Sequence, residues 1–338
     1  MSFCCVTWAK TLLIPRVIGG VSKSCANQKR LPPMSHFTHE HQPHDFAAAQ
    51  EAMNSTQVRI HEVAPRDGLQ NEARIVSTRD KLKLVEMLLA AGVDSIEIGS
   101  FVRADLLPQL ADTAELAAAL SASSGDFYAL LANQRGMDDF LATDLTGVTV
   151  LVSASEQHSK ANVGMSRERA LAESCRLIER AVAESKVVRA YVSMACGCPY
   201  QGEVATENVL EVVTGFVGAG AELVVIADTL GVGHPEQVEH LIGQIRQPHP
   251  ELELGLHMHD THGRALANCR VGYELGIRHF DAAVGGCGGC PFAPGAAGNL
   301  DTLELVGLLD ELGASHRVDR HHLSLAGDFL RQCLGDKI

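Results

Sequence analysis

From Val58 onward the chain repeats one unit eight times, a short apolar run followed by a segment with helical periodicity. The predicted strands are Val58–Val63, Ser95–Ile98, Phe127–Leu131, Val148–Val152, Val188–Ser193, Leu223–Asp228, Leu252–His257 and His279–Val284. Nearly continuous apolar strands of this kind belong to parallel sheets buried on both faces. Ser77 is placed to cap a helix running through Leu89 and stopped by Gly92. Further helices are predicted at Asp112–Leu120, Met137–Leu141, Arg167–Glu184, Asn208–Val217, Glu236–Ile245, Ala265–Leu275 and Leu303–Leu312. Residues after Arg317 add a last helix under or beside the barrel. Eight strand–helix units over about 250 residues predict an α/β (β/α)8 TIM barrel with a short additional C-terminal helix. A doubly wound sheet is the other arrangement of such units. It would carry a Gly-rich turn after the first strand, and Pro65-Arg66-Asp67-Gly68 is not that turn.

Composition narrows the function. A net charge of −13 and the lack of a basic stripe interleaved with aromatics argue against nucleic-acid binding. No apolar run reaches membrane-spanning length. Ten cysteines in a chain of 338 residues read as reduced intracellular thiols rather than a disulfide framework. Residues 1–55 stand apart from the barrel domain at 56–338. No acid occurs from Met1 to His39, while Lys10, Arg16, Lys23, Lys29 and Arg30 do. That pattern suits a mitochondrial transit peptide or an unstructured extension from an early start codon. A cytoplasmic location is expected in the second case, a mitochondrial one in the first. The loose cluster His36, His39, His41 and His44 is read as disordered.

Active sites of TIM barrels lie at the C-terminal strand ends. Those ends carry Arg66 and Asp67, Glu97 and Ser100, Asp228 and Thr229, then His257 and His259, with a Gly- and Cys-rich loop after the eighth strand. His257 and His259 are two apart on a strand and therefore share a face, as a metal chelate needs. Two histidines alone more often mark a His-rich strand end, and Asp67 or Asp228 alone a helix cap. The joint occurrence is the signal. Asp67, His257, His259 and Asn299 form a thiolate-free oxygen and nitrogen set suited to Mg2+ or Mn2+. Neither Cys196/Cys198 nor Cys287/Cys290 has zinc-finger spacing, so the thiols are read as structural except Cys290.

The segment Pro65-Arg66-Asp67-Gly68-Leu69-Gln70-Asn71-Glu72 resembles the signature of the 3-hydroxy-3-methylglutaryl-CoA lyases, within the wider family of metal-dependent TIM-barrel lyases and condensing enzymes. The likeness runs from about Val58 to Leu330. It includes Gly197-Cys198-Pro199-Tyr200, Asp228-Thr229-Leu230-Gly231-Val232-Gly233, the His257/His259 pair with Asp260-Thr261, and Gly288-Gly289-Cys290-Pro291. It implies a metal held by Asp67, His257, His259 and Asn299. It further implies that Arg66 steadies an enolate and that Cys290 sits on a loop closing over the substrate. The expected catalytic residues are Arg66, Glu97, Asp228, His257 and Cys290. Arg66, Gln70 and Asn162 are the expected contacts to an acyl-CoA thioester. Ser159-Lys160-Ala161-Asn162 reads equally as a solvated loop.

Three departures touch the acyl wall rather than the metal site. The family's Ser-Pro-Lys-Trp is replaced by Arg103-Ala104-Asp105-Leu106, Val225 and Ala227 stand for Ser and Gly, and Leu303 replaces a Glu. Arg103 is expected at the rim facing the acyl end, where it could pair with a carboxylate.

The expected reaction is retro-Claisen cleavage of 3-hydroxy-3-methylglutaryl-CoA to acetoacetate and acetyl-CoA, a step of leucine catabolism, with His257 or a water removing the alcohol proton. Citramalyl-CoA or a longer branched hydroxyglutaryl-CoA are alternative substrates. A condensing enzyme would carry an added regulatory domain, for which the chain leaves no length. A non-catalytic metal-binding barrel leaves Arg66 and the Cys290 loop without a purpose. A homodimer is possible for this fold.

Overall fold

The computed structural model describes residues 57–288 and 298–335. The expectations for residues 1–55 and for Cys290 fall outside the described residues. Strands β1 (Arg59–Glu62), β2 (Ser95–Phe101), β3 (Phe127–Leu131), β4 (Gly147–Ser153), β5 (Val187–Ser193), β6 (Leu223–Asp228), β7 (Glu253–Met258) and β8 (His279–Ala282) pair in parallel and in chain order. Closure comes from β8 on β1, with Arg59 opposite His279 and Glu62 opposite Ala282. The helices between and after them are α1 (Thr78–Ala90), α2 (Thr113–Leu120), α3 (Gln134–Leu141), α4 (Glu156–Val163), α5 (Arg167–Ala183), α6 (Thr206–Gly218), α7 (Pro235–Arg246), α8 (Ala265–Glu274), α9 (Thr302–Glu311) and α10 (Arg320–Leu334).

Alternation along each strand divides the apolar residues between two cores. On β5, Val188, Ala190 and Val192 join the large core between sheet and helices. Arg189 and Tyr191, on the other face, point into the barrel. A second, smaller core of Tyr191, Leu223, Val225 and Ala227, with Leu151 against it, fills one side of the interior. Helix α1 shows how the outer layer is specified. Its Ser77 cap accepts from the Asp80 amide at 3.2 Å, and it buries Leu84, Val85 and Leu88. Removing Leu88 to Ala would cost about 2–5 kcal/mol. Gly92 ends the helix at φ +83°, where a Cβ would lie 2.5 Å from the Arg317 carbonyl oxygen. Leu88 thus anchors the layer, and Gly92 turns the chain toward β2.

Two sequence expectations need correction. Ser159–Asn162 is helical, inside α4, because Ser155 caps that helix by accepting from the His158 amide at 3.1 Å. Helix α3 begins at Gln134, earlier than Met137, because Asn133 caps it through the Gly136 amide at 3.0 Å. The C-terminal helix α10 packs on α1 and on the short turn Val284–Gly286 after β8, so it lies beside the barrel.

The ends of β1 and β8 are tied together. Glu62, fully buried, accepts from the Ala64 amide at 2.9 Å, the Val284 amide at 3.0 Å and the Thr302 hydroxyl at 2.7 Å. One carboxylate thereby fixes the turn after β1, the turn after β8 and the start of α9. Burial pushes this carboxyl up to about 7 despite those three donors.

Candidate active site

After β1 the chain winds into a five-residue π-type turn, Ala64–Gly68, with Pro65 at its start. The Val63 carbonyl accepts from the amides of Arg66, Asp67 and Gly68 at 3.1, 2.8 and 3.2 Å. Turns of this kind cluster at functional sites, and here the turn projects Arg66 and Asp67 over the barrel mouth. Arg66 donates from Nη1 to Asp67 Oδ1 at 2.5 Å and from Nε to Glu97 Oε2 at 2.6 Å. Gln70 Nε2 adds a third contact, to Asp67 Oδ1 at 3.0 Å. Oδ1 is therefore spoken for, and Oδ2 turns toward the histidines.

His257 Nε2 lies 3.9 Å and His259 Nε2 3.8 Å from Asp67 Oδ2. These gaps are too long for hydrogen bonds. All three ligand atoms fall within 4.8 Å of one another. Metal–ligand bonds of roughly 2.0–2.2 Å place one cation comfortably among atoms so spaced. The donors therefore fit a divalent ion by spacing and by chemistry.

Asn299 reaches the same place through the pairing of its backbone with His259. Its Nδ2 donates to Asp67 Oδ2 at 2.9 Å and to the Cys287 carbonyl at 3.0 Å. The amide nitrogen thus faces the triad, and a half-turn of the side chain would present Oδ1 instead. Gly288 admits this approach. At φ +99° it has space for no side chain, since a Cβ would stand 2.8 Å from Asn299 Nδ2 and 2.9 Å from Gly68 Cα.

Electrostatics reinforce the arrangement. Burial pushes the Asp67 carboxyl up, but Arg66 and then the two histidines outweigh it and hold it at about 2. Burial lowers His259 to about 4, helped by its neighbour His257. His257 is raised above its ordinary value: burial lowers it, yet the hydrogen bond and charge of Asp281 prevail. Glu97 is raised by burial even though Arg66 opposes the shift.

The remaining predicted residues divide. Asp228 lies buried at the end of β6, and its carboxylate accepts from the Val232 amide at 3.2 Å and the Gly233 amide at 2.7 Å. It shapes the loop after β6. Asn162 is half-buried on α4, outside the hydrogen-bonded cluster, and Lys160 pairs with Glu156 at 2.8 Å on the surface. Cys290 lies outside the described residues. Arg103 is paired within its own loop. Asp105 takes both ends of its guanidinium, with Nε to Oδ1 at 2.9 Å. The segment lines a cavity of ≈ 1000 Å³ against α2 and α3, which none of the triad borders. Of the other departures, Val225 and Ala227 belong to the inner core and Leu303 packs on the outer one.

Sequence reasoning missed Asp281, Arg189 and Tyr191. Asp281 touches His257 Nδ1 at 3.2 Å and is itself held by the other two at 2.5 Å each. The available signal was a charge in the middle of a buried strand, at Arg189 and again at Asp281, since such charges are almost always paired.

The HMGL-like family model matches residues 57–330. Hydroxymethylglutaryl-CoA lyase, mitochondrial, of Macaca fascicularis is 40% identical over 83% of this chain and 87% of its own length. The 3-hydroxy-3-methylglutaryl-CoA lyase, cytoplasmic, of Rattus norvegicus is 36% identical over 91% of this chain and 92% of its own. Among solved structures, an HMG-CoA lyase from Acenitobacter baumannii in complex with coenzyme A and 3-methylmalate superposes with a TM-score of 0.77 at 33% identity, covering 83% of this chain and 92% of that one.

Proposed function

The chain belongs to the HMGL-like family, and on that premise we propose that it is a carbon–carbon lyase that cleaves 3-hydroxy-3-methylglutaryl-CoA to acetoacetate and acetyl-CoA. The observation that carries this reading is the convergence of Asp67, His257 and His259 beside an Arg66 that two carboxylates hold in place. Mg2+ or Mn2+ is the ion the donor set favours, with Asn299 as a further ligand once its amide oxygen faces the triad. Such an ion supplies Lewis acidity, lowering the pKa of the substrate's tertiary alcohol.

The chain's own residues do the rest. Arg66 uses Nε and Nη1 on Glu97 and Asp67, which leaves Nη2 for the oxygen that becomes negative when the carbon–carbon bond breaks. Glu97 orients that guanidinium. His257 has Nδ1 on Asp281 and Nε2 toward the triad, so both nitrogens are committed. Proton removal from the alcohol is therefore assigned to water rather than to His257. Cys290 is proposed to return a proton to the enolate carbon, completing acetyl-CoA. Gln70 and Asn162 are proposed contacts to the acyl-CoA, and Asp228 acts by setting the loop after β6.

Residues 56–338 are proposed as the catalytic domain. A cytoplasmic location is favoured by the match to the cytoplasmic rat relative, which extends over more of the chain than the match to the mitochondrial one. Among the described residues no helix is long and apolar enough to cross a membrane.

One observation favours a second reading of the acyl group. Ala227 pairs in register with His257, and it and Val225 give the interior an apolar side. A related hydroxyacyl-CoA, citramalyl-CoA or a longer branched hydroxyglutaryl-CoA, is then the alternative. A missing methylene is worth only about 1–3 kcal/mol in a pocket. Comparing kcat/KM for the three thioesters decides the matter. The first reading expects the highest value for 3-hydroxy-3-methylglutaryl-CoA, and a higher value for either competitor overturns it.

A further inference from the structure

We infer that Asp281 is the positioning residue that fixes the tautomer and ring orientation of His257, and that Arg189 and Tyr191 hold it there through the barrel interior. The inference rests on the reading of Asp67, His257 and His259 as a metal site. Asp281 sits directly opposite His257 in the register of β7 with β8. Its Oδ1 accepts from Arg189 Nη2 at 2.5 Å, and its Oδ2 accepts from the Tyr191 hydroxyl at 2.5 Å and lies 3.2 Å from His257 Nδ1. Asp281, Arg189 and Tyr191 are all almost wholly buried.

The chemistry of these contacts leaves one arrangement. A carboxylate oxygen only accepts, so a neutral His257 must carry its proton on Nδ1. Its lone pair is then on Nε2, the nitrogen that faces Asp67 Oδ2. Arg189 balances the charge of Asp281, so the carboxylate orients the imidazole without remaining an unpaired charge in the interior. Tyr191 contributes a second donor and is itself approached by Arg189 Nε at 3.3 Å. The two residues come from β5, three strands from β8 around the barrel, and reach Asp281 through the interior as a strut. His259 has no such support: its Nδ1 is buried without a hydrogen-bond partner among the described residues. Outer partners of ligating histidines typically govern 10–100-fold in metal affinity. Asp281 should therefore govern how well His257 binds an ion.

The test uses the full chain and Mn2+ alone, with binding followed by the EPR signal of the free ion. Asp281→Asn can turn its amide nitrogen toward His257 Nδ1, which forces the proton to Nε2 and removes the ligating lone pair. Its Mn2+ affinity is expected to fall about 10–100-fold, and that of Tyr191→Phe by less. Wild type that binds Mn2+ with Asp281→Asn binding equally well overturns the inference. Wild type that binds no Mn2+ contradicts the metal reading instead. A second measurement needs no variant at position 281. Two-bond 15N–1H correlation of histidine-labelled wild type, with the His257 signals identified by their loss in His257→Gln, reads the tautomer directly. A proton on Nδ1 supports the inference, and a neutral ring with its proton on Nε2 overturns it.

Discussion

Arg66 and Glu97 form a buried ion pair, Nε to Oε2 at 2.6 Å, between the turn after β1 and the interior face of β2. The guanidinium fork spans Glu97 and Asp67 at once, a geometry that an ammonium on a flexible stem does not reproduce. Arg66→Lys is therefore expected to lower kcat by about 10²–10³-fold with little change in KM. Steady-state kinetics check this, and a rise in KM with kcat preserved would mean that Arg66 only captures substrate. Arg66→Met is the poorer variant, because stranding a buried partner charge costs about 3–5 kcal/mol of stability.

Asp67 Oδ2 faces both histidines, at 3.9 Å from His257 Nε2 and 3.8 Å from His259 Nε2. Asp67→Asn removes that negative ligand, and the Mn2+ affinity is expected to fall by at least about 10-fold, since changes to outer partners alone have that effect. Isothermal titration with Mn2+ is the measurement. Undiminished affinity would place the ion elsewhere.

Arg103 is exposed and paired with Asp105, and its loop borders the outer cavity near α2 and α3. Arg103→Ser should leave kcat/KM within about twofold of wild type, as expected for a surface pair of little energetic weight. A tenfold fall would return Arg103 to the acyl site.

Glu62 makes a pH prediction. Its folded pKa, about 7, lies above the ordinary 4.5 because burial disfavours the charged form. Its contribution to stability is thus fully present below about 4.5 and is lost as pH rises through about 7. Glu62→Gln removes the charge, and its Oε1 can still accept from the Ala64 and Val284 amides while its Nε2 donates to the Thr302 hydroxyl instead of accepting from it. Relative to wild type the variant should gain on the order of 3 kcal/mol between pH 4 and pH 8. Urea unfolding at the two pH values measures it, and a difference that does not change with pH contradicts it.

Much of this was readable along the chain because it is local. Period-two spacing put His257 and His259 on one face, and the apolar runs gave all eight strands. Ser77 and Gly92 bounded α1 as expected. The caps of α4 were also present, Ser155 before it and Gly164 after it, but the polar residues between them hid a helix with little apolar face. What spacing could not supply were partners brought together by barrel closure. Asp281 meets Arg189 and Tyr191 from 92 and 90 residues away, and Glu62 meets Thr302 from 240. Arg103 has a local partner that spacing did show. That partner, Asp105, is two residues away.

The central claim is that the metal triad beside Arg66 cleaves 3-hydroxy-3-methylglutaryl-CoA. Its most direct test incubates the purified chain with that thioester and Mg2+ or Mn2+, quantifies acetoacetate and acetyl-CoA, and repeats the assay in EDTA. Equimolar release of the two products, abolished by the chelator and restored by either ion, is the predicted result. No acetoacetate from the metal-loaded protein, or full activity in EDTA, would contradict it.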